Sequence, residues 1–257
     1  MPTNAMQLER SITAAEQDSA PMHFPHPLGP VMVGGHEFTL YAESPPLIDA
    51  MVADIRAART RVWKETYIFL DDSAGRAIAD ALIDRARAGL DVRLMIDGFG
   101  SFSTPTALLN RMQEAGVQVH VFHALSQLIR GPRFLQAFNQ RNHRKLMIVD
   151  DHIAYFGGMN VVDQSGIKSG ETSPSDLPIS AGWRDVHVRM VGPRQAEFAG
   201  LMERLWQRVH RLPRSKPPKW RVPNFADTPD DSFYFFDSRP TFSDRRPHRV
   251  LVPLMRQ

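Results

Sequence analysis

The chain of 257 residues contains no cysteine. Disulfides, thiol nucleophiles and cysteine-ligated metals are thereby excluded, and the absence suits a reducing compartment. No apolar run approaches the ~20 residues of a membrane-spanning helix. The first 20 residues mix Glu9, Arg10, Glu16 and Asp18 with polar side chains and lack the apolar centre of a signal peptide. A cytoplasmic protein is expected, either free or peripheral on the inner face of the cell membrane. Lysine is scarce, with five residues at positions 64, 145, 168, 216 and 219. Acidic residues are missing between Glu114 and Asp150, where Arg130, Arg133, Arg141, Arg144 and Lys145 fall, and again between Arg204 and Ala226. Two basic, acid-free stretches on a chain of net charge +3 suit a polyanionic partner, an anionic membrane surface or nucleic acid, or else two solvated faces. No internal repeat is visible.

What is present reads as a globular α/β protein. Residues 1–34, with five prolines and no apolar period, are expected to be a flexible lead-in. Strand-like segments at 37–42, 61–70, 91–97 and 117–122 alternate with helical periods. One helix starts at Pro46 with Ile48, Met51, Val52 and Ile55 on one face; a second is capped by Ser73 and stopped by Gly89; a third runs from Pro105 to Gly116. Further strands are expected at 145–149, 153–156 and 186–191, then a helix from Pro193. Such alternation predicts a layered domain over 35–212, its mostly parallel or mixed sheet flanked by helices. Residues 213–257 begin with four prolines in eleven residues and read as a basic linker, with one last strand near 233–236.

The chemistry concentrates in one run. Asn142-His143-Arg144-Lys145 leads into Leu-Met-Ile-Val and Asp150, a His-x-Lys-x4-Asp pattern followed by Gly157-Gly158-Met159-Asn160. With ten His, five Lys and 19 Asp, the first pattern alone arises by chance in about one such chain in a hundred. On an extended segment, His143 and Lys145 point to the same side. An imidazole can attack phosphorus while an adjacent ammonium holds the anionic oxygens.

These residues resemble the phospholipase D superfamily, and within it cardiolipin synthase-like enzymes. Thr66-Tyr67-Ile68-Phe69 with Asp72 and Gly75, Val92 to Gly98, and Trp183-Arg184-Asp185-Val186-His187-Val188-Arg189 with Gly192-Pro193 resemble the flanking segments of that family, in the same order. The resemblance implies His143 as nucleophile or general acid, with Lys145 and Asn160 on the non-bridging phosphate oxygens. It implies no metal and no cofactor. Gly157 and Gly158 would allow close approach to the phosphate or simply make a turn. Asp150 stands among the candidate catalytic residues, although its place past the strand end suits tying down a turn. Asp163 is the candidate for orienting the histidine, with a plain surface aspartate as the equal alternative. Tyr67 reads as a core aromatic or a cleft wall, His187 as a sheet residue, and His120 with His123 as ordinary polar residues.

Family members of this organisation carry two such motifs, one per half. Here Phe236 to Pro240 resembles the start of a second half, and one motif is present. The expected activity is a phosphatidyltransferase or phosphodiesterase acting on an anionic phospholipid, phosphatidylglycerol or cardiolipin-like, through a phosphohistidine. A second His-Lys pair would come from a homodimer partner or a separately encoded second half. The alternatives are a homodimeric nuclease of the same superfamily, with nucleic acid as partner, and a non-catalytic membrane-binding remnant.

Overall fold

In a computed structural model of the chain, residues 27–122, 142–163 and 185–212 are described. They form one eight-stranded sheet with helices on both faces. The strands are β1 (Leu28–Val33), β2 (His36–Tyr41), β3 (Arg61–Thr66), β4 (Asp91–Asp97), β5 (Gln118–Phe122), β6 (Leu146–Val149), β7 (Ile153–Gly157) and β8 (His187–Val191). The helices are α1 (Ser44–Ala57), α2 (Ser73–Arg87), α3 (Thr106–Glu114) and α4 (Gln195–Val209).

The spatial order is β1-β2-β8-β7-β6-β3-β4-β5. Only β3 with β4 and β4 with β5 run parallel; every other neighbouring pair is antiparallel. The sheet is therefore mixed, the second of the two arrangements expected, with its parallel part confined to β3, β4 and β5. The helical crossovers α2 and α3 generate the parallel part. A tight turn at 150–152 folds β7 back on β6, and β6 itself enters beside β3 in the opposite sense.

Each helix buries the stripe that its apolar spacing predicts. On α1, Leu47, Ile48, Met51, Val52 and Ile55 are buried; on α2, Ile78, Ala79, Leu82 and Ile83 are. They pack with Val62, Val92, Leu94, Ile96, Met147 and Val149 on one sheet face. The opposite face, with Trp63, Leu146, Ile148, Ala154 and Met190, is covered by Phe198, Ala199 and Met202 of α4. Pro45 at the start of α1 suits the first helical turn, where a missing N–H costs nothing. The cap of α2 is Asp72, whose carboxylate accepts from Gly75 N–H at 2.8 Å, and not Ser73.

Two further expectations change. Residues 28–33 lie inside the supposed flexible lead-in, yet they form β1, turned through Gly34-Gly35 onto β2. Their side chains are almost all exposed, so this strand leaves no alternating apolar signal. The strand near 233–236, the basic residues Arg130, Arg133 and Arg141, and Trp183 lie outside the described residues.

Candidate active site

One rim of the sheet gathers the motif. The carboxyl ends of β3 and β4 end there, together with the amino end of β6, because β6 runs antiparallel to β3 with Leu146 opposite Glu65. His143 and Lys145 sit in the extended segment just before β6 rather than within it. Alternation along this segment sorts its side chains. Asn142 and Arg144 turn to Glu65, whose Oε1 accepts from Asn142 Nδ2 at 2.5 Å and from Arg144 Nε at 2.9 Å. His143 and Lys145 turn the other way. A second anchor comes from β4, where Asp97 Oδ2 accepts from Asn142 N–H at 3.1 Å. Glu65 and Asp97 are fully buried, and the sequence alone did not single out either.

The His143 imidazole is exposed at the surface and lies against Tyr67, ring centroids 4.7 Å apart and tilted by 53°. Lys145 is only 4% exposed; its ammonium donates to the His143 carbonyl at 2.9 Å and stands 5.3 Å from the Tyr67 ring centre. Tyr67 is thus a wall of the site and not a core aromatic. Desolvation, then the nearby Lys145 charge, holds the His143 pKa below the ordinary histidine value, while Asp185 and Asp97 pull it back up. Burial pushes Lys145 down to about 8 against the same two carboxylates. At neutral pH the pair is therefore a neutral imidazole beside an ammonium, the protonation states a phosphorus nucleophile and an oxyanion holder require.

Asn160 reaches the rim from beyond β7. The segment 160–161 runs beside 68–70: Asn160 Oδ1 accepts from Ile68 N–H at 3.0 Å, and Val161 pairs with Phe69. With its oxygen so used, the amide nitrogen is left to donate. Gly157 and Gly158 do not open space for a phosphate. A Cβ on Gly157 would meet Val186 O at 2.3 Å, and one on Gly158 would meet Asp185 Oδ1 at 2.5 Å. The two glycines admit the chain entering β8, and so bring Asp185 to the histidine.

Two candidates fall elsewhere. Asp163 accepts from Ser73 Oγ, and its own N–H donates to Asp72 at 2.7 Å, which ties it to the start of α2. The carboxylates whose charge reaches His143 are Asp185 and Asp97 instead. Asp150 lies at the opposite rim, five residues or roughly 16 Å along the strand from Lys145. Its carboxylate accepts from the backbone N–H groups of Arg59, Thr60 and Arg61 and from Thr60 Oγ1. It pins the turn after β6 to the entry of β3. Burial would raise its pKa, but these bonds more than reverse that and hold it below the usual carboxylate value.

Other polar residues take structural places. His120 packs at 4.8 Å from His210 and at 6.3 Å from Trp206, itself 7% exposed; His123 is outside the described residues. His187 is fully buried on β8 beside Gly157.

Residues 51–172 match the family described as cardiolipin synthase, PLD-like domain. They are a phospholipase D-like domain. Cardiolipin synthase of Oceanobacillus iheyensis is 34% identical over 156 residues, covering 60% of this chain and 29% of that protein. Cardiolipin synthase A of Pseudomonas putida is 30% identical over 213 residues, covering 82% and 41% respectively. The chain thus spans less than half the length of these curated relatives. Among solved structures, the phospholipase D family member Nuc of Salmonella typhimurium overlaps with a TM-score of 0.45 at 18% identity, covering 67% of this chain and 93% of that one. No helix among the described residues is long and apolar enough to cross a membrane.

Proposed function

We propose that this phospholipase D-like domain supplies one His-Lys half of a phosphatidyl-transfer site acting on an anionic phospholipid, phosphatidylglycerol or cardiolipin-like. The observation that carries the reading is the pairing of an exposed, predominantly neutral His143 imidazole with the buried ammonium of Lys145, in a domain similar to cardiolipin synthases. In the first step an imidazole nitrogen of His143 forms a bond to phosphorus as the bond to the departing alcohol oxygen breaks. The Lys145 ammonium neutralises and the Asn160 amide donates a hydrogen bond to the non-bridging oxygens, and Asp185 stabilises the charge that develops on the imidazole. The leaving oxygen takes its proton from a histidine of a second motif. In the second step an acceptor alcohol or water gives its proton to that same second histidine and attacks phosphorus, the P–N bond breaks, and His143 is freed. The second His-Lys pair comes from a further half-domain or from a second copy of the chain. Binding is peripheral, at an anionic membrane surface on the cytoplasmic side.

The test is incubation of the protein with phosphatidylglycerol vesicles, followed by mass spectrometry of the lipids and, after alkaline quenching, of acid-labile adducts on His143. Wild type is expected to form a transfer or hydrolysis product that His143→Ala does not. Absence of both product and adduct at high protein concentration would sink the reading of this chain as sufficient by itself. Appearance of product only after adding a chain with a second motif would establish the half-site version.

A further inference from the structure

Beneath the motif, on the same sheet face, lies a group that the reaction described above does not use. Lys64 of β3 is fully buried, and its Nζ has no hydrogen-bond partner among the described residues. Lys64 sits opposite Met147, so Lys145, two residues before Met147, is its diagonal neighbour on that face. Across Gly157, His187 of β8 is also fully buried, and neither of its ring nitrogens has a partner among the described residues. Gly157 makes this packing possible, since a Cβ there would stand 2.9 Å from His187 Nδ1.

Among the described residues, few charged groups surround Lys64. Lys145 faces it from the segment leading into β6 and His187 from β8. On its own strand, Glu65 projects to the other face and is engaged with Asn142 and Arg144. One pleat further along the face, the Asp54 carboxylate from α1 is closed by Arg189 and Tyr155. Lys64 and His187, buried nitrogen centres with no acceptor among the described residues, are costly to charge while unpaired. Charging becomes favourable when an anion arrives close by in a low-dielectric surrounding.

We infer that Lys64 is a positioning residue of the phosphate site: when an anionic phosphodiester settles on His143 and Lys145, the Lys64 amine takes up a proton from solvent, and the site gains positive charge together with its substrate. The inference rests on the phosphodiester reading above. Lys64 itself does not touch the substrate; it acts through Lys145 and the field at the rim. Burial, then the Lys145 charge, pushes Lys64 down to about 7 against the pull of Glu65, so the amine is divided between its two forms near neutral pH. His187 is held well below the ordinary histidine value by burial and by the two lysines, and stays neutral in the resting protein.

Calorimetric titration with dihexanoyl phosphatidylglycerol, a diester that does not titrate near neutrality, measures this directly. At pH 7.5, in buffers of different ionisation enthalpy, about three quarters of Lys64 amines are unprotonated for a pKa of about 7. Wild type is expected to take up proton on binding. Lys64→Met, with a neutral side chain of similar length, is expected to bind the diester with the uptake reduced by more than half. What remains belongs to Lys145 and His143 and is common to both proteins. Equal uptake in wild type and Lys64→Met, or binding by wild type with no uptake, overturns the Lys64 inference and leaves the phosphodiester reading standing. Failure of wild type to bind the diester overturns that reading, and this inference with it. Should Lys64→Met not fold, Lys64→Gln gives the same comparison.

Discussion

Replacing Asp150 separates a fold role from a chemical one more sharply than any other single change. One carboxylate receives Thr60 N–H and Oγ1 at 2.8 Å each, Arg59 N–H at 3.0 Å and Arg61 N–H at 3.2 Å, while its backbone sits at a φ of 50°. Asp150→Ala orphans three backbone donors and places alanine in a left-handed conformation. Hydrogen bonds to a charged acceptor contribute about 1.5–3 kcal/mol each when buried. Several of these are solvent-accessible and share one group, so about 2–3 kcal/mol in total is a reasonable sum. The left-handed φ adds about 1 kcal/mol. Asp150→Asn keeps an acceptor oxygen and tolerates the backbone, and is expected to cost about 1 kcal/mol. Urea denaturation should therefore rank wild type above Asn above Ala, with similar slopes. Because the folded pKa of Asp150 is depressed, its contribution is complete above the unfolded carboxylate value and is lost as pH falls through the folded one; the gap between wild type and Asn should close in acid. Turnover of phosphatidylglycerol per folded molecule should change by no more than about twofold in either variant, the size of an effect remote from chemistry. An Asp150→Asn protein with an unmoved urea midpoint and turnover reduced by about a hundredfold would refute the assignment of Asp150 to the fold.

The pH profile of turnover should rise on the acid side of about 6.5, where His143 loses its proton, and fall near pH 8 as Lys145 loses its own; a steady-state rate profile checks both limbs. Gly158→Ala should fold, yet its Cβ would displace the Asp185 carboxylate, reducing turnover by about a hundredfold. Asp185 raises the His143 pKa, so the acid limb of that variant should also move to lower pH, as proton resonance titration of the imidazole would show. Glu65→Gln should weaken the hold on Asn142 and Arg144 and cost about 1–3 kcal/mol in urea denaturation, with faster amide exchange at 142–145.

How much of this was legible in the chain depends on the range of the forces involved. Helices α1 to α4 and the central strands announce themselves through apolar periods, because one face of each must be buried whatever lies opposite. The side on which His143 and Lys145 project also follows from local alternation. Strand partners do not: whether β6 joins β5 or β3 is decided by contacts across residues far apart in sequence. Glu65 and Asp97 escaped notice for the same reason, since they meet Asn142 across 77 and 45 positions. Gly157 and Gly158 were legible as a need for space, but the occupant of that space, the start of β8, was not. Asp163 looked suitable because it follows Asn160 closely, while the acid that reaches the histidine comes from position 185, in the segment leading into β8.

The strand order also governs how two copies of the domain could cooperate. β6 lies four places from the β1 edge and three from the β5 edge. Two copies joined edge to edge through β1 would hold their β6 strands nine spacings apart, roughly 43 Å; joined through β5, seven spacings or roughly 34 Å. A single phosphorus atom cannot be shared over either gap. Continuing the sheet, the commonest way for strands to associate, therefore yields two separate half-sites. A shared centre requires the rims that carry His143 to face each other, so the geometry of any productive pairing is head to head.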